Sequence, residues 1–543
     1  MYACLTEVLQ KYNVPFDRII GICSDGASTM QGVFKGVCTQ LAKTIRTMRE
    51  PTIAAIMALS NNERGPASFH SARGVFVVHC VCHRLALVLT DAIKGTKRVE
   101  KVIPETCITL LNGLHNYFAR SPSRKKEMRE YINAENADYI EQQRRAKAER
   151  RRAPPGHVIL NPVDQLANIL GVLEERHKLP RRIVMTRWLS CGDAVRVALN
   201  SRRVYINFFS NENNELADRI LELLEDSAVV AWYACLQDVI PVLTGMNILF
   251  QSNLPLPHLL HSEISWAKAT LINMVGTAGA ARTRTELLPI GEVDTNTSFG
   301  AYANNYLRDN RDGNAMHGTR LTAREILDLK KSWHKLFAHC VHQIDARFPP
   351  ANMHYFKLME VLDPNVVHGP HLRRHLIGTP DDISVVAGKL VHLFEVPLHG
   401  SGLDSPENIK NSFTLFKVSD ICANVWKETI TNYVGAGMRC KPFDHSLIYS
   451  YYRALMHIPD IKPWALFALF VLVFPTGNAI SERGFSAMGA THSKQRHEMG
   501  HEQVFANLII GFNGPSVPEF ATQLDIESRQ PNWPLYIQPT NLN

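Results

Sequence analysis

Between Val471 and Met488 the chain runs apolar, halts at Pro475 and restarts with the composition of a helix, which limits what the sequence around it can fold into. Thr476, Gly477 and Asn478 supply loop and N-cap chemistry, and from Ala479 onward helix formers dominate. Glu482 then falls in the first turn, where the helix dipole favours a carboxylate. Phe485 and Met488 lie three and six residues further on, so one side can be buried while Glu482 points elsewhere. The passage reads either as a capped core helix with an exposed glutamate or as a helix that carries a carboxylate to a site.

A matching acid stands near the start. Leu5, Val8, Leu9 and Tyr12 have helical spacing, and Asn13-Val14-Pro15 breaks that helix. Arg18–Cys23 reads as a buried strand, Ser24–Ser28 as a tight strand-to-helix turn, and Thr29 onward as helix. Asp25, in that turn, is either a residue bonding its own backbone or a metal-binding acid at a strand end, where polar chemistry collects in α/β units. Gly36–Arg49 is a basic helical stretch with Val37, Leu41, Ile45 and Met48 on one face. After a polar loop at Ser60–Ser71, Gly74–His79 is expected to be the neighbouring parallel strand.

Cys80, Cys82, His79 and His83 are dense enough to raise zinc. The spacing speaks against it, because the two cysteines stand two apart and no second pair at metal-ligand spacing follows. From Ser121 to Gly156 ten Lys and Arg face six acids, a net of 10 − 6 = +4, half of the +8 carried by the whole chain of 543 residues. That arm, with Arg150, Arg151 and Arg152 at its end, predicts a long exposed helix or a partly ordered segment. Its readings are a solvated surface insertion, a phosphate contact or a nuclear-import signal. Ile183–Ser190 brings Arg187 and Trp188 together; the tryptophan is either a core aromatic or a stacking platform. Residues 192–460 read as successive amphipathic helices, among them Leu216–Leu224 and Val229–Phe250, broken by Pro- and Gly-rich stretches.

Composition adds limits. Hydrophobic content of 45% and charged content of 20% describe a globular chain. The longest uninterrupted apolar run, Trp464–Phe474, is well short of the ~20 residues a membrane helix needs, so a core element and no membrane partner are expected. Eleven cysteines without framework spacing point to a reducing, intracellular compartment. The first residues have neither a basic start nor an apolar stretch, so no signal peptide is expected.

Taken in order, Ser24-Asp25-Gly26, Cys80-x-x-His83, Arg187-Trp188 and Pro475-x-x-Asn478-Ala479-x-Ser481-Glu482-Arg483-x-Phe485-Ser486, then Lys494 and Arg496, resemble the landmarks of hAT-family DNA transposases. The resemblance implies an α/β fold: a ribonuclease-H-like core, truncated at its amino end and interrupted by a large all-α insertion, helix-rich overall. The implied domains are 1–94 for the first part of the core, 95–449 for the insertion with its basic arm 121–156, 450–515 for the C-terminal dimerisation region, and a tail at 516–543.

By position, Asp25 and Glu482 match the second and third of the family's three catalytic and metal-binding acids, and the first is expected upstream of the opening helix. Asp91 follows the second strand by most of a helix and does not replace it. Magnesium or manganese is the implied cofactor only if the site is active, since two divalent ions about 3.5–4 Å apart carry such cleavage. Cys80 and His83 are landmarks of the insertion boundary. Trp188 matches a tryptophan that stacks on a flipped base, and Arg187 with Arg150–Arg152 are the other DNA-binding candidates. Partners implied are a second copy of the chain, in a homodimer or higher oligomer through Tyr451–Phe474 and Val504–Phe512, and DNA; the compartment is the nucleus. The expected function is a transposon-derived, dimerising, DNA-binding protein without transposition. An active nuclease and a non-catalytic transcriptional cofactor are the alternatives.

Overall fold

The structure of the protein, a computed structural model, describes residues 2–11, 13–16, 19–24, 36–59, 76–95, 100–152, 178–181, 188–252, 254–277, 284–311, 319–368, 380–399, 403–435 and 447–477. Met1–Gly477 forms one compact unit and Asn478–Asn543 another, and all described residues belong to the first.

The chain opens with α1 (Tyr2–Lys11), β1 (Gly21–Ser24), α2 (Val37–Leu59), β2 (Phe76–His79) and α3 (Val81–Lys94). Helices α4 (Glu105–Ala119), α5 (Pro122–Arg152), α6 (Trp188–Asn200), α7 (Arg202–Phe209), α8 (Glu215–Glu225), α9 (Ser227–Phe250) and α10 (Pro257–Met274) follow. Next come β3 (Val275–Thr277), β4 (Thr297–Phe299), α11 (Ala301–Arg311), α12 (Ala323–Arg347), α13 (Pro350–Met359), a 3-10 turn at Glu360–Leu362 and α14 (Pro364–Val367). The series closes with α15 (Pro380–Leu393), α16 (Glu395–Leu398), α17 (Pro406–Val418), α18 (Asp420–Gly435), α19 (Leu447–Leu455) and α20 (Lys462–Leu472). The protein is thus helix-rich.

The expected parallel pair is present: β1 and β2 run parallel, with Gly21 opposite Phe76 and Ser24 opposite His79. The first strand is shorter than its apolar run, starting at Gly21. Asn13, at φ 51°, occupies the left-handed region that asparagine tolerates and turns the chain out of α1. A small core of Phe16, Leu41, Ala42 and Ile45 joins α2 to Leu5, Leu9 and Ile22. Met48, expected on that buried face, is 49% exposed, and Arg49 takes the interior place, donating from Nη2 to the Ile19 carbonyl at 2.9 Å.

The large core is helical, and α9 is its axis. Read as amphipathic in the sequence, α9 is instead apolar all round and buried on nearly every side, as such a helix must be in a globular protein. By length and composition α9 would suffice to cross a bilayer, yet 83% of its most apolar window is buried inside the protein. Its Tyr233 hydroxyl donates to the Cys107 carbonyl at 2.7 Å, and Gly192 of α6 lies so close that a Cβ there would stand 2.8 Å from Ile240 Cγ2. Asp238 accepts from the backbone N–H groups of Ala301, Tyr302 and Ala303 at 2.9, 3.1 and 2.9 Å, capping α11 from a distant part of the chain. Gly300, at φ 40°, makes this possible, because a Cβ would fall 2.1 Å from the Asp238 carboxyl carbon.

Between α10 and α11, where the sequence offers only a break between helices, β3 and β4 form an antiparallel pair. The buried Lys330 ammonium supports it, donating to the Thr295 and Thr297 carbonyls. The run Trp464–Phe474 forms a core helix: Trp464, Phe467, Val471, Leu472 and Phe474 are all 0% exposed, as are Tyr451 and Tyr452 of α19. The side chains expected to form a dimer surface at Tyr451–Phe474 therefore lie mostly within the protein's own core, and Val473 is the large aliphatic of that stretch left exposed.

Candidate functional site at the strand ends

The carboxyl ends of β1 and β2 meet a third segment from the far end of the unit. The Cys80 N–H donates to the Ser24 carbonyl at 2.7 Å, and the next N–H, that of Val81, donates to the Thr476 carbonyl at 3.1 Å. Helix α3 begins there, with no side-chain cap from Cys80. Two backbone bonds thus tie the end of β1, the start of α3 and the passage at Pro475 into one seam.

Close packing explains the seam. A Cβ on Gly21 would stand 2.9 Å from Pro475 Cδ and 3.1 Å from Phe474 Cε2, so only glycine lets β1 and this passage approach. Phe474 is held from the other side by Phe356, ring centroids 5.7 Å apart. The Thr476 hydroxyl accepts from the Leu256 N–H at 3.4 Å, and Gly477 passes near the Phe250 carbonyl and Cys80 Sγ. The end of α9 docks on the same place: Asn247 Nδ2 donates to the Cys82 carbonyl at 3.2 Å, and the Cys82 thiol points to the Asn247 carbonyl at 3.6 Å.

Cys80 and His83 occupy one turn of α3 but point differently. Cys80 is 1% exposed, and its thiol contact with Cys23, more than burial, pushes the Cys23 thiol well above its ordinary range. Cys82 and Cys38 add to that effect, so the Cys23 thiol stays protonated at neutral pH. His83 is exposed and stacks on His79, centroids 5.2 Å apart at 28°. Among the described residues no three His, Cys, Asp or Glu side chains are grouped so as to hold a metal ion.

Asp91, further along α3, is buried and ion-paired with Arg347. Arg84 donates to the Arg347 carbonyl and lies 5.6 Å from the Phe348 ring centroid, closing the last turn of α12. Burial lowers the pKa of Arg84, and the nearby Arg347 charge lowers it further.

Of the predicted site residues, Asp25, Arg187 and Glu482 lie outside the described residues, as do Val504–Phe512, Lys494 and Arg496. Trp188 opens α6, and Arg150, Arg151 and Arg152 end α5. What the sequence reading passed over is the seam itself: Gly21, Thr476 and Asn247. A glycine inside an apolar run is a signal of close backbone approach and marks Gly21; nothing local marks Asn247. No protein-family model matches the chain, and no curated protein matches it.

Proposed function

We propose that the protein derives from an hAT-type DNA transposase, that it self-associates and binds DNA in the nucleus, and that it does not cleave DNA strands. In this reading 1–94 and 450–515 build a ribonuclease-H-like core around the helical insertion 95–449, followed by the tail 516–543. The order of the four sequence landmarks supports it. So does one structural observation: Ser24 and Thr476, separated by 452 residues (476 − 24), are joined through consecutive N–H groups at Cys80 and Val81. Asp25 is the residue after Ser24, and Glu482 follows Thr476 by six (482 − 476).

In this reading Asp25 and Glu482, as carboxylates, suit magnesium or manganese, hard cations with oxygen ligands, rather than zinc. Asp91 is committed to Arg347 and is no further metal ligand. In this reading self-association uses Tyr451–Phe474 and Val504–Phe512, with the buried side chains of the former, among them Tyr451, Trp464 and Phe467, serving the protein's own core.

Three measurements test the proposal. In a variant carrying Asp25→Cys and Glu482→Cys, a short bifunctional maleimide should bridge the two positions; failure to bridge them would remove the shared site. Plasmid DNA with magnesium or manganese should stay intact, and nicking abolished by Glu482→Gln would establish an active nuclease instead. Sedimentation should show a dimer or larger species, with a monomer at micromolar concentration counting against self-association.

A further inference from the structure

Nine described cysteines are thiols. At Cys107, Cys191 and Cys340 burial is the main cause that pushes the thiol up to about 12, the condition of an inert core cysteine. Cys23 differs. The first cause there is a hydrogen-bonding contact with the Cys80 thiol, and burial comes second. Cys38, near the start of α2, and Cys82, whose thiol points to the Asn247 carbonyl, act on Cys23 through charge and not through such a contact.

The strand register brings the pair together. Cys23 stands opposite Val78 in the parallel sheet. Side chains alternate between the two faces of a strand, so Cys80, two residues past Val78, leaves the sheet on the face that Cys23 occupies. Its ψ of 121° is still extended, and its N–H donates to the Ser24 carbonyl at 2.7 Å, which holds the end of β1 against it. Cys80 then heads α3, where the first N–H groups of the helix favour negative charge on a sulfur. Of the two, Cys23 is the more exposed, since Cys80 is 1% exposed and Cys23 is only partly buried.

We propose that Cys23 and Cys80 are a redox modification site, joined as an intramolecular disulfide by an oxidant of the peroxide class. Hydrogen peroxide reaches Cys23 first: its O–O bond breaks, an S–O bond forms, and Cys23 becomes a sulfenic acid as one water leaves. The Cys80 sulfur then attacks the Cys23 sulfur, the S–O bond breaks, and the second water carries off the Cys80 proton. Two thiols and one peroxide thus give one disulfide and two waters. The first step is slow, because Cys23 is held as a thiol; the second is fast, because its partner is already in contact. The bond closes a span of 57 residues (80 − 23) and fixes the end of β1 to the start of α3, where Thr476 also joins. This inference is independent of the proposed function.

The test exposes the full folded chain to excess hydrogen peroxide, then blocks remaining thiols with N-ethylmaleimide in denaturant and maps the digest by mass spectrometry. The expected product is a peptide pair joined through Cys23 and Cys80, released by dithiothreitol and more abundant than any other cysteine pair. Cys80→Ser should stop at the Cys23 sulfenic acid, trapped by dimedone; if that variant does not fold, the map of the parent decides alone. Closing the span should lower the unfolding constant of this part of the chain by up to about a thousandfold, read as a higher urea midpoint than that of the reduced chain. Cys23 and Cys80 both recovered as maleimide adducts after peroxide would overturn the proposal. So would Cys23 joined to Cys38 or Cys82, a bond formed only between two chains, or an oxidised chain with a lower urea midpoint.

Discussion

Helices α9 and α5 are two long helices of the unit with opposite fates. Ser227–Phe250 is surrounded by other helices, and its polar groups are answered from within: Asp238 by three N–H groups of α11, the Tyr233 hydroxyl by a carbonyl of α4. Pro122–Arg152 buries Met128, Ile132 and Asn136 and is otherwise mostly charged and polar in sequence. A helix that is apolar all round must be covered, whereas a mostly polar one needs only a narrow stripe of contacts.

That contrast is breakable, and the sharpest probe is Asp238→Ala. It removes the acceptor of three N–H groups at the start of α11, that of Ala303 buried, and the loss should be about 2–4 kcal/mol, read as a lower urea midpoint with unchanged slope. Burial already pushes the Asp238 pKa up against the pull of those N–H groups, so the site depends on them closely. Gly192→Val comes next: its side chain would enter the space of Ile240, costing about 1–3 kcal/mol by overpacking.

Acid should act on the helical body through a buried histidine. His339 of α12 shares a 2.9 Å bond between Nε2 and the Val88 carbonyl, and burial lowers its pKa below the usual histidine value despite that bond and the nearby Asp91. His342 and Arg347 lower it further. A depressed folded pKa means the unfolded chain takes up the proton first as pH falls. The contribution from His339 is thus full above about pH 6.5 and declines below it. His339→Gln keeps a donor for Val88, so its stability relative to the parent should rise between pH 7 and pH 5 in paired denaturation curves; a constant difference would refute this.

Much of the candidate site was legible in short stretches. The parallel strands, the helix entered at Cys80 and the break at Pro475 all follow from apolar runs bounded by turn residues. Local pattern failed where a neighbour decided the outcome. Met48 and Arg49 exchange places because the Ile19 carbonyl offers a guanidinium a bond in the interior. Tyr451–Phe474 looks like an interface by hydrophobicity, but the same side chains satisfy a core, and composition cannot tell one from the other.

By itself the sequence determined that the chain is globular and helix-rich and that two short strands precede the helix entered at Cys80, since each follows from periodicity and composition within one segment. For the basic arm it left a long helix and a partly ordered segment open, and the structure has the helix Pro122–Arg152. Only the tertiary structure decided that α9 is the buried axis, that Asp238 caps a helix 63 residues away, and that Thr476 joins Ser24 across the start of α3. Those contacts depend on which distant backbone group is left without a hydrogen-bond partner and which side chain can reach it, and that is settled when the whole unit closes.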